Sequence, residues 1–224
     1  MKDVMPSLWV SALAGASVSF AAHVASAAPI PGLFATGVDD FGVALAPGAV
    51  DPHYALTVSA DVSFPAVGPA YVVDPLPVDW LPNSATAQWI NHNGSGGSEI
   101  SGTYAYTITF DLTGFDASTA VVSGSWALDD GLTGASILIN GMMTGYTHLY
   151  PGWLMLESFT ISAGFLPGLN TLTFVTTNEP SIGFNPTGLL VATLHGDADI
   201  IPAPASGLAL ALAFPLMRRR RAVR

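Results

Sequence analysis

The chain has 224 residues; half are hydrophobic, a tenth are charged, and none is cysteine. Sixteen acidic residues against six basic ones give a net charge of −10, and Lys and Arg occur only at Lys2 and from Arg218 onward. A body without Lys or Arg cannot neutralise phosphates, which excludes nucleic-acid binding. The absence of cysteine excludes disulfides and thiolate metal sites.

The N-terminus is typical of a secretory signal peptide. Lys2 precedes a mostly apolar stretch over residues 8–24, and Ala25 and Ala27 place small residues at the two positions that a signal peptidase reads. We therefore predict a signal peptide over residues 1–27 that is cleaved after Ala27, and an exported protein. The alternative is an N-terminal membrane anchor, for which the apolar stretch is short.

Residues 28–200 are predicted to form one antiparallel β-sandwich or jelly-roll domain. Residues 103–112 alternate between apolar and polar side chains, which is typical of a half-buried strand. Similar patterns predict strands over residues 120–128, 136–140, 171–177 and 189–195. Turn signals separate them, namely Thr113-Gly114, Asp130-Gly131, Asn140-Gly141, Pro167-Gly168 and Asn185-Pro186.

The first half of this domain has a less regular pattern. Two short strands are predicted within residues 34–51 and 54–59, and a third over residues 87–91. Residues 64–82 contain five prolines and are predicted to cross the surface without joining the sheet. The glycine- and serine-rich residues 93–98 are predicted to form a flexible loop.

The C-terminal residues 201–224 have three parts. A proline segment with Pro202-Ala203-Pro204 is followed by an apolar run over residues 207–217, predicted to be a short helix, and by Arg218, Arg219, Arg220 and Arg221. About 12 helical residues rise roughly 18 Å, which is short for a hydrocarbon core of about 30 Å. The arginines would hold that end in the cytoplasm. An ordinary tail anchor is one interpretation.

This order of parts resembles the PEP-CTERM family of sorting signals. The resemblance implies recognition by an exosortase-like membrane enzyme, with the apolar segment in the inner membrane before processing. It also implies delivery to the cell envelope or the extracellular space, in association with exopolysaccharide. The family motif is Pro-Glu-Pro, whereas Pro202-Ala203-Pro204 lacks the glutamate and is closer to the Pro-Ala-Pro-Ala variants.

A second resemblance covers residues 100–198. The motifs Trp126-Ala127-Leu128-Asp129-Asp130-Gly131, Ile137-Leu138-Ile139-Asn140-Gly141, Pro167-Gly168-Leu169-Asn170-Thr171-Leu172 and Gly188-Leu189-Leu190-Val191 follow one another in order. In this order they resemble the galactose-binding-like jelly roll that occurs as accessory domains of glycosidases. The resemblance implies a fold more than a ligand.

Calcium is the ion that the acidic residues favour. Asp39 and Asp40 lie near the start of the domain, and Asp197 and Asp199, which share a strand face, lie near its end. Because domain termini are often close together, we predict that these four carboxylates could form a structural calcium site. The alternative is a solvated acidic surface. No cofactor is required by any motif.

Loop aromatics and one acidic pair suggest where a sugar would bind. Trp89, Trp153 and a His92 expected to be exposed could stack on a sugar, and Asp129 and Asp130 could accept its hydroxyl groups. Each has a structural alternative, since the aromatics can cover the core and Asp130-Gly131 can be a turn. Neighbouring residues of a strand point to opposite faces, so the two carboxyls would pair only if the turn redirects one.

The motifs of common enzyme classes are absent, and no catalytic residue is assigned. There is no nucleophile elbow, zinc-protease helix motif or phosphate loop. The leading hypothesis is a non-catalytic exported protein sorted through its C-terminal signal. The alternative is a carbohydrate-binding module with a polysaccharide as partner, and a weaker one is a glycan hydrolase whose two carboxyls converge in one cleft.

Overall fold

The computed structural model describes residues 26–64, 68–131 and 133–202, and the regular secondary structure of this part of the chain is almost entirely antiparallel β-sheet. Two 3-10 helices, Ala117–Thr119 and Gly152–Leu154, interrupt it. The strands are β1 (Ala27–Pro29), β2 (Val50–Val58), β3 (Gly68–Val72), β4 (Ile90–Asn91), β5 (Gly102–Asp111), β6 (Val121–Asp129), β7 (Ser136–Ile139), β8 (Met142–Met143), β9 (Glu157–Ile161), β10 (Leu169–Asn178) and β11 (Gly188–Asp199).

The strands form one continuous path that curls into a sandwich. Their order is β8-β7-β10-β5-β2-β3-β4-β11-β6-β9, with β1 added to β11. Trp126 of β6 and Phe174 of β10 are far apart along this path, yet their ring centroids are 5.6 Å apart across the interior. The predicted antiparallel jelly-roll sandwich is therefore confirmed.

Strand β5 shows how the sequence produces this sandwich. Its even-numbered side chains, from Tyr104 to Phe110, are buried, whereas Thr103, Thr109 and Asp111 are exposed. All ten residues of β5 pair with the ten residues of β10. Apolar side chains at every second position thus fill the interior from one face of the strand. The predicted strands over residues 120–128, 136–140, 171–177 and 189–195 correspond to β6, β7, β10 and β11.

The hairpin between β7 and β8 confirms a predicted turn. Asn140 and Gly141 connect Ile139 to Met142 and have φ values of 51° and 77°. Both central residues of such a two-residue turn need positive φ, which Asn and Gly adopt at little cost.

The proline-rich residues 64–82 do not merely cross the surface, as the sequence had suggested. They contain β3, which pairs with β2 on one side and with β4 on the other. Ala70 and Val72 are buried in the sheet, and Pro69 is the only proline inside the strand. In the preceding stretch, residues 34–49 form one isolated bridge, between Val38 and Ala44, before β2 begins.

Strand β11 joins both ends of the domain. Ala27 of β1 pairs with Asp199, and Pro29 pairs with Asp197. The predicted cleavage after Ala27 falls inside this pairing. Most of the predicted signal peptide, and the predicted apolar helix and arginines, lie outside the described residues, and these predictions remain predictions. No helix in the described ranges is long and apolar enough to cross a lipid bilayer.

Candidate functional site

A cleft of about 960 Å³ opens at the end of the sandwich where the loops gather. Its walls come from the β3–β4 connection, the loop after β4, the end of β6, the Gly152–Leu154 turn and the β10–β11 connection. This volume lies at the upper end of the range for ligand sites in proteins. The lining residues are Pro75, Leu76, Pro77, Val78, Asp79, Trp80, Ser95, Gly96, Gly97, Asp129, Asp130, Tyr150, Trp153, Glu179, Pro180, Ser181, Phe184, Asn185 and Pro186.

Aromatic rings line the cleft at different depths. Trp80 is almost buried and packs against Trp89, with ring centroids 4.2 Å apart. Tyr150 is 53% exposed and meets Trp153 edge to face at 5.3 Å. Phe184 is 62% exposed on the opposite loop. Large aromatic side chains exposed in a concave site offer flat apolar surfaces for a ligand.

These rings stand on a second hydrophobic cluster, which we call the tryptophan cluster. Its members are Val73, Trp80, Ala87, Trp89, Ala127 and Leu190. Ala127 and Leu190 are paired across β6 and β11 on the face away from the interior. The Trp89 indole N–H donates to the Leu81 carbonyl at 2.8 Å, and the Leu81 N–H donates to the Trp153 carbonyl at 2.9 Å.

Two glycines allow the cleft walls to come together. A Cβ on Gly188 would lie 2.7 Å from the Trp80 ring, and a Cβ on Gly96 would lie 1.8 Å from the Pro75 carbonyl oxygen. Any larger residue at Gly96 would push the loop of residues 93–98 off its support. This loop, predicted to be flexible, is in fact fastened, because Asn91 accepts from the N–H groups of Asn93 and Gly94 and donates to the Ser95 carbonyl.

Four carboxyl groups line the cleft, and two of them are hydrogen-bonded to each other. Asp129 ends β6, and the side chain of the next residue, Asp130, lies against it. The Asp130 carboxylate also accepts from the Glu179 N–H at 2.7 Å. The alternation of strand faces argued against a carboxyl pair, but the pair is formed, because Asp130 lies beyond the end of β6, where the alternation no longer applies. Asp79 and Glu179 complete the set.

Burial, the hydrogen bond to Asp130 and the charge of Asp130 together raise the pKa of Asp129 to about 9, with burial the largest cause. The polar contact with the Trp80 side chain opposes the rise. Two carboxylates in contact cannot both be ionised at low cost, so Asp129 keeps its proton at neutral pH. The cleft thus presents both hydrogen-bond acceptors and one acidic O–H.

The structure brings some of the predicted ligand-binding residues together and buries the others. Asp129, Asp130 and Trp153 line the cleft. Trp89 is fully buried and supports Trp80 from below, so it is not a contact surface. His92, predicted to be exposed, is 0% exposed and lies between Phe64 and Tyr104, with ring centroids 5.1 and 4.8 Å away.

The four predicted calcium ligands do not converge. Asp39 caps a turn by accepting from the N–H groups of Phe41 and Val43, and Asp40 lies 3.8 Å from His53. This loop adjoins the middle of β11 through the hydrogen bond from the Thr36 N–H to the Val191 carbonyl. Asp197 lies six residues beyond Val191 on β11, which places it about 20 Å from Val191. The physical reason is that β1, and not the Asp39–Asp40 loop, covers the end of β11.

Another group of potential metal ligands does converge. Asp61, His92 and Glu99 each offer a donor atom, and these atoms all lie within 4.8 Å of one another. Within residues 26–64, 68–131 and 133–202, this is the one group of at least three potential ligand side chains that lie close enough to hold a metal ion. The sequence did not indicate this cluster because Asp61 lies in the β2–β3 connection, whereas His92 and Glu99 lie in the β4–β5 connection. None of the three has the spacing of a metal-binding helix or hairpin.

No protein-family model matches the chain, and the curated proteins contain no match. Solved structures give matches at low similarity. A CBM35 from Paenibacillus barcinonensis is 21% identical, with a TM-score of 0.30, over 55% of this chain and 88% of that chain. A family 35 carbohydrate binding module from Clostridium thermocellum is 11% identical, with a TM-score of 0.31, over 57% and 86%. A family 35 module from an environmental isolate is 14% identical, with a TM-score of 0.29, over 66% and 98%.

Proposed function

We propose that the protein is a non-catalytic carbohydrate-binding module and that the cleft is its binding site. The observation that carries this proposal is the combination of exposed Tyr150 and Phe184 with four carboxyl groups in one concave site. Sugar rings have apolar faces that pack on aromatic rings and hydroxyl groups that donate to carboxylates. A site of this composition suits a polyhydroxylated ligand better than an apolar one.

The ligand class follows from the charge of the chain. Between Lys2 and Arg218 there is no lysine or arginine, and the cleft is lined by Asp79, Asp129, Asp130 and Glu179. An anionic sugar would bring its carboxylate against these groups with no cation of the protein to offset the repulsion. The ligand is therefore a neutral polysaccharide or oligosaccharide.

Affinity electrophoresis of the whole chain through gels that contain neutral glycans or uronic-acid polymers tests this proposal. We expect retardation by at least one neutral glycan. Replacing Tyr150 or Phe184 with Ala should weaken binding by about tenfold or more, equivalent to about 1.4 kcal/mol. Phe41→Ala is the matched control, because Phe41 is a 90% exposed aromatic outside the cleft.

Two results would contradict the proposal. One is the absence of retardation by any glycan. The other is an equal effect of Tyr150→Ala and Phe41→Ala, which would place binding outside the cleft.

The paired carboxyls do not have the geometry of a glycosidase. A glycosidase uses two carboxyl groups about 5 to 9.5 Å apart, one as the acid and the other as the nucleophile or base. Asp129 and Asp130 are instead in direct hydrogen-bonding contact. The geometry of this pair supports binding without catalysis, and under the proposal we expect no release of reducing sugar. Release of reducing sugar that stops in Asp129→Asn would favour the hydrolase alternative.

For its location, we propose export followed by processing of the C-terminal tail, and sequence alone supports this part. The supporting features are the Ala25–Ala27 cleavage pattern and the segment of Pro202-Ala203-Pro204, apolar run and Arg218–Arg221. The intact mass of the mature protein reports both cleavage points. A full-length chain recovered from the cytosol would contradict it.

A further inference from the structure

We infer that Asp61, His92 and Glu99 form a binding site for a divalent transition-metal ion of the zinc class, separate from the carboxyl pair in the cleft. His92 Nε2 lies 3.3 Å from a Glu99 oxygen and 3.7 Å from an Asp61 oxygen. Ions of this class bind imidazole nitrogen and carboxylate oxygen at about 2.0–2.2 Å, so two ligands of a tetrahedral site are about 3.4 Å apart. Both measured separations are close to that value.

The unsatisfied imidazole is the second observation that points to a ligand. His92 is fully buried, and neither of its ring nitrogens makes a hydrogen bond. A buried polar group without a partner costs about 1–3 kcal/mol, so such groups are normally paired. Nε2 faces the two carboxylates, and a metal ion between them would give the nitrogen its missing partner.

The surroundings of the carboxylates keep their oxygens in place. The second Asp61 oxygen accepts from the Ser63 N–H at 2.8 Å, which leaves the oxygen that faces His92 free. Glu99 accepts from the Asn93 side-chain amide at 3.0 Å. Hydrogen bonds of this kind orient the ligands of known metal sites. The Asp61 and Glu99 side chains are only 16% and 7% exposed.

The ligand types select the class of ion. Calcium takes six to eight oxygen ligands at 2.3–2.6 Å, whereas this site offers one imidazole nitrogen and two carboxylates, with all donor atoms within 4.8 Å of one another. Imidazole together with carboxylate suits zinc and related divalent ions. Three protein ligands leave a fourth position for water.

The site would also act on the cleft, because His92 and Glu99 lie on either side of the loop of residues 93–98. Ser95, Gly96 and Gly97 from the middle of this loop line the cleft. The Glu99 N–H donates to the Asn185 carbonyl, and Asn185 also lines the cleft. A bound ion would therefore hold both ends of the loop of residues 93–98, which forms one wall of the cleft.

Metal binding by the purified whole chain tests the inference. The protein is stripped with a chelator and dialysed separately against Zn²⁺, Co²⁺ and Ca²⁺, and the bound metal is measured by elemental analysis. We expect one Zn²⁺ per chain in excess of any Ca²⁺, a melting temperature that rises with Zn²⁺ concentration, and visible absorption of the Co²⁺ form typical of tetrahedral coordination.

Isosteric variants locate the site. Asp61→Asn and Glu99→Gln should weaken Zn²⁺ binding by at least about tenfold, since outer-shell partners alone are worth about 10- to 100-fold. Asp40→Asn is the matched control, because Asp40 also faces a single histidine, His53, at 3.8 Å. The melting temperature of each metal-free variant reports whether it has folded.

Three results would overturn the inference: no Zn²⁺ bound, equal Zn²⁺ binding by all variants, or the same stoichiometry and affinity for Ca²⁺. None of these results depends on whether the cleft binds a glycan.

Discussion

The interior of the sandwich and the tryptophan cluster are two hydrophobic cores built in different ways. The interior takes alternate residues from long paired strands, such as Tyr104 and Tyr106 of β5 and Phe174 of β10. The tryptophan cluster takes Trp80 and Trp89 from outside the long strands and places them on the outer face of β6 and β11. Residues 126–129, at the end of β6, are consequently all buried, on both faces of the strand.

This difference explains why the cleft lies where it does. Loops have no regular hydrogen-bond ladder to hold them, so loops that carry a site need separate support. Trp89 supplies that support by packing under Trp80, which lines the cleft beside Asp129. The interior gives the fold its stability, and the tryptophan cluster gives the site its shape.

The largest effect is expected for Trp89→Ala. Removing a fully buried indole and its hydrogen bond to Leu81 should lower the free energy of unfolding by about 3–5 kcal/mol. Glycan affinity of the folded fraction should fall as well, because Trp80 loses its support. Chemical denaturation and affinity electrophoresis measure the two quantities.

Phe159→Ala is the control from the interior, where Phe159 packs 5.9 Å from Phe174. It should destabilise the protein to a similar extent and leave the glycan affinity of the folded fraction unchanged. Unchanged affinity in Trp89→Ala would mean that the cluster does not shape the cleft.

The next effect concerns pH and the Asp129–Asp130 pair. The pKa of Asp129 is raised on folding to about 9 from an ordinary value near 4, so the folded state binds more protons than the unfolded state between these pH values. The free energy of unfolding should therefore fall as pH rises from about 5 to 9, with a slope of at most about 1.4 kcal/mol per pH unit for one proton.

Asp129→Asn should flatten this pH dependence, because asparagine does not titrate. Urea denaturation of both proteins at several pH values measures the difference. Parallel profiles for the two proteins would show that the pair does not hold the extra proton. Burial also raises the pKa of Asp51, so some slope of the same sign should remain in the variant.

The smallest effect distinguishes two buried tyrosines of the interior. The Tyr54 hydroxyl donates to the Phe34 carbonyl at 2.8 Å, whereas the Tyr106 hydroxyl is buried without a hydrogen-bond partner. Tyr54→Phe should cost about 1 kcal/mol of unfolding free energy, and Tyr106→Phe should be neutral or slightly stabilising. Thermal denaturation of the two variants compares them directly, and an equal loss in both would show that Tyr106 has a partner.

The fold could be predicted wherever strand residues alternate. Strands β5, β6, β7, β10 and β11 have one face in the interior, so their period of two is visible in the sequence. Strand β3 was missed because Gly68–Val72 is short and surrounded by prolines. Its place between β2 and β4 depends on long-range pairing, which no local pattern reports.

The cleft was predictable only in part. Asp129 and Asp130 stood out as an acidic pair at a turn, and Trp153 as a loop aromatic, but nothing local indicated that Trp80, Phe184 and Glu179 would join them. His92 was expected at the surface because it adjoins a glycine-rich segment. It is buried because Phe64 and Tyr104, 28 and 12 residues away in sequence, enclose it.

The course of β11 fixes which way the cleft faces. Gly188, at one end of this strand, contacts the Trp80 ring, and Asp199, at the other end, pairs with Ala27. Twelve residues of extended chain separate these ends by about 35 Å. The first and last residues that the structure describes, Ser26 and Pro202, therefore lie at the pole opposite the opening. Tethering by either one would turn the opening outward, toward whatever lies beyond the attached surface.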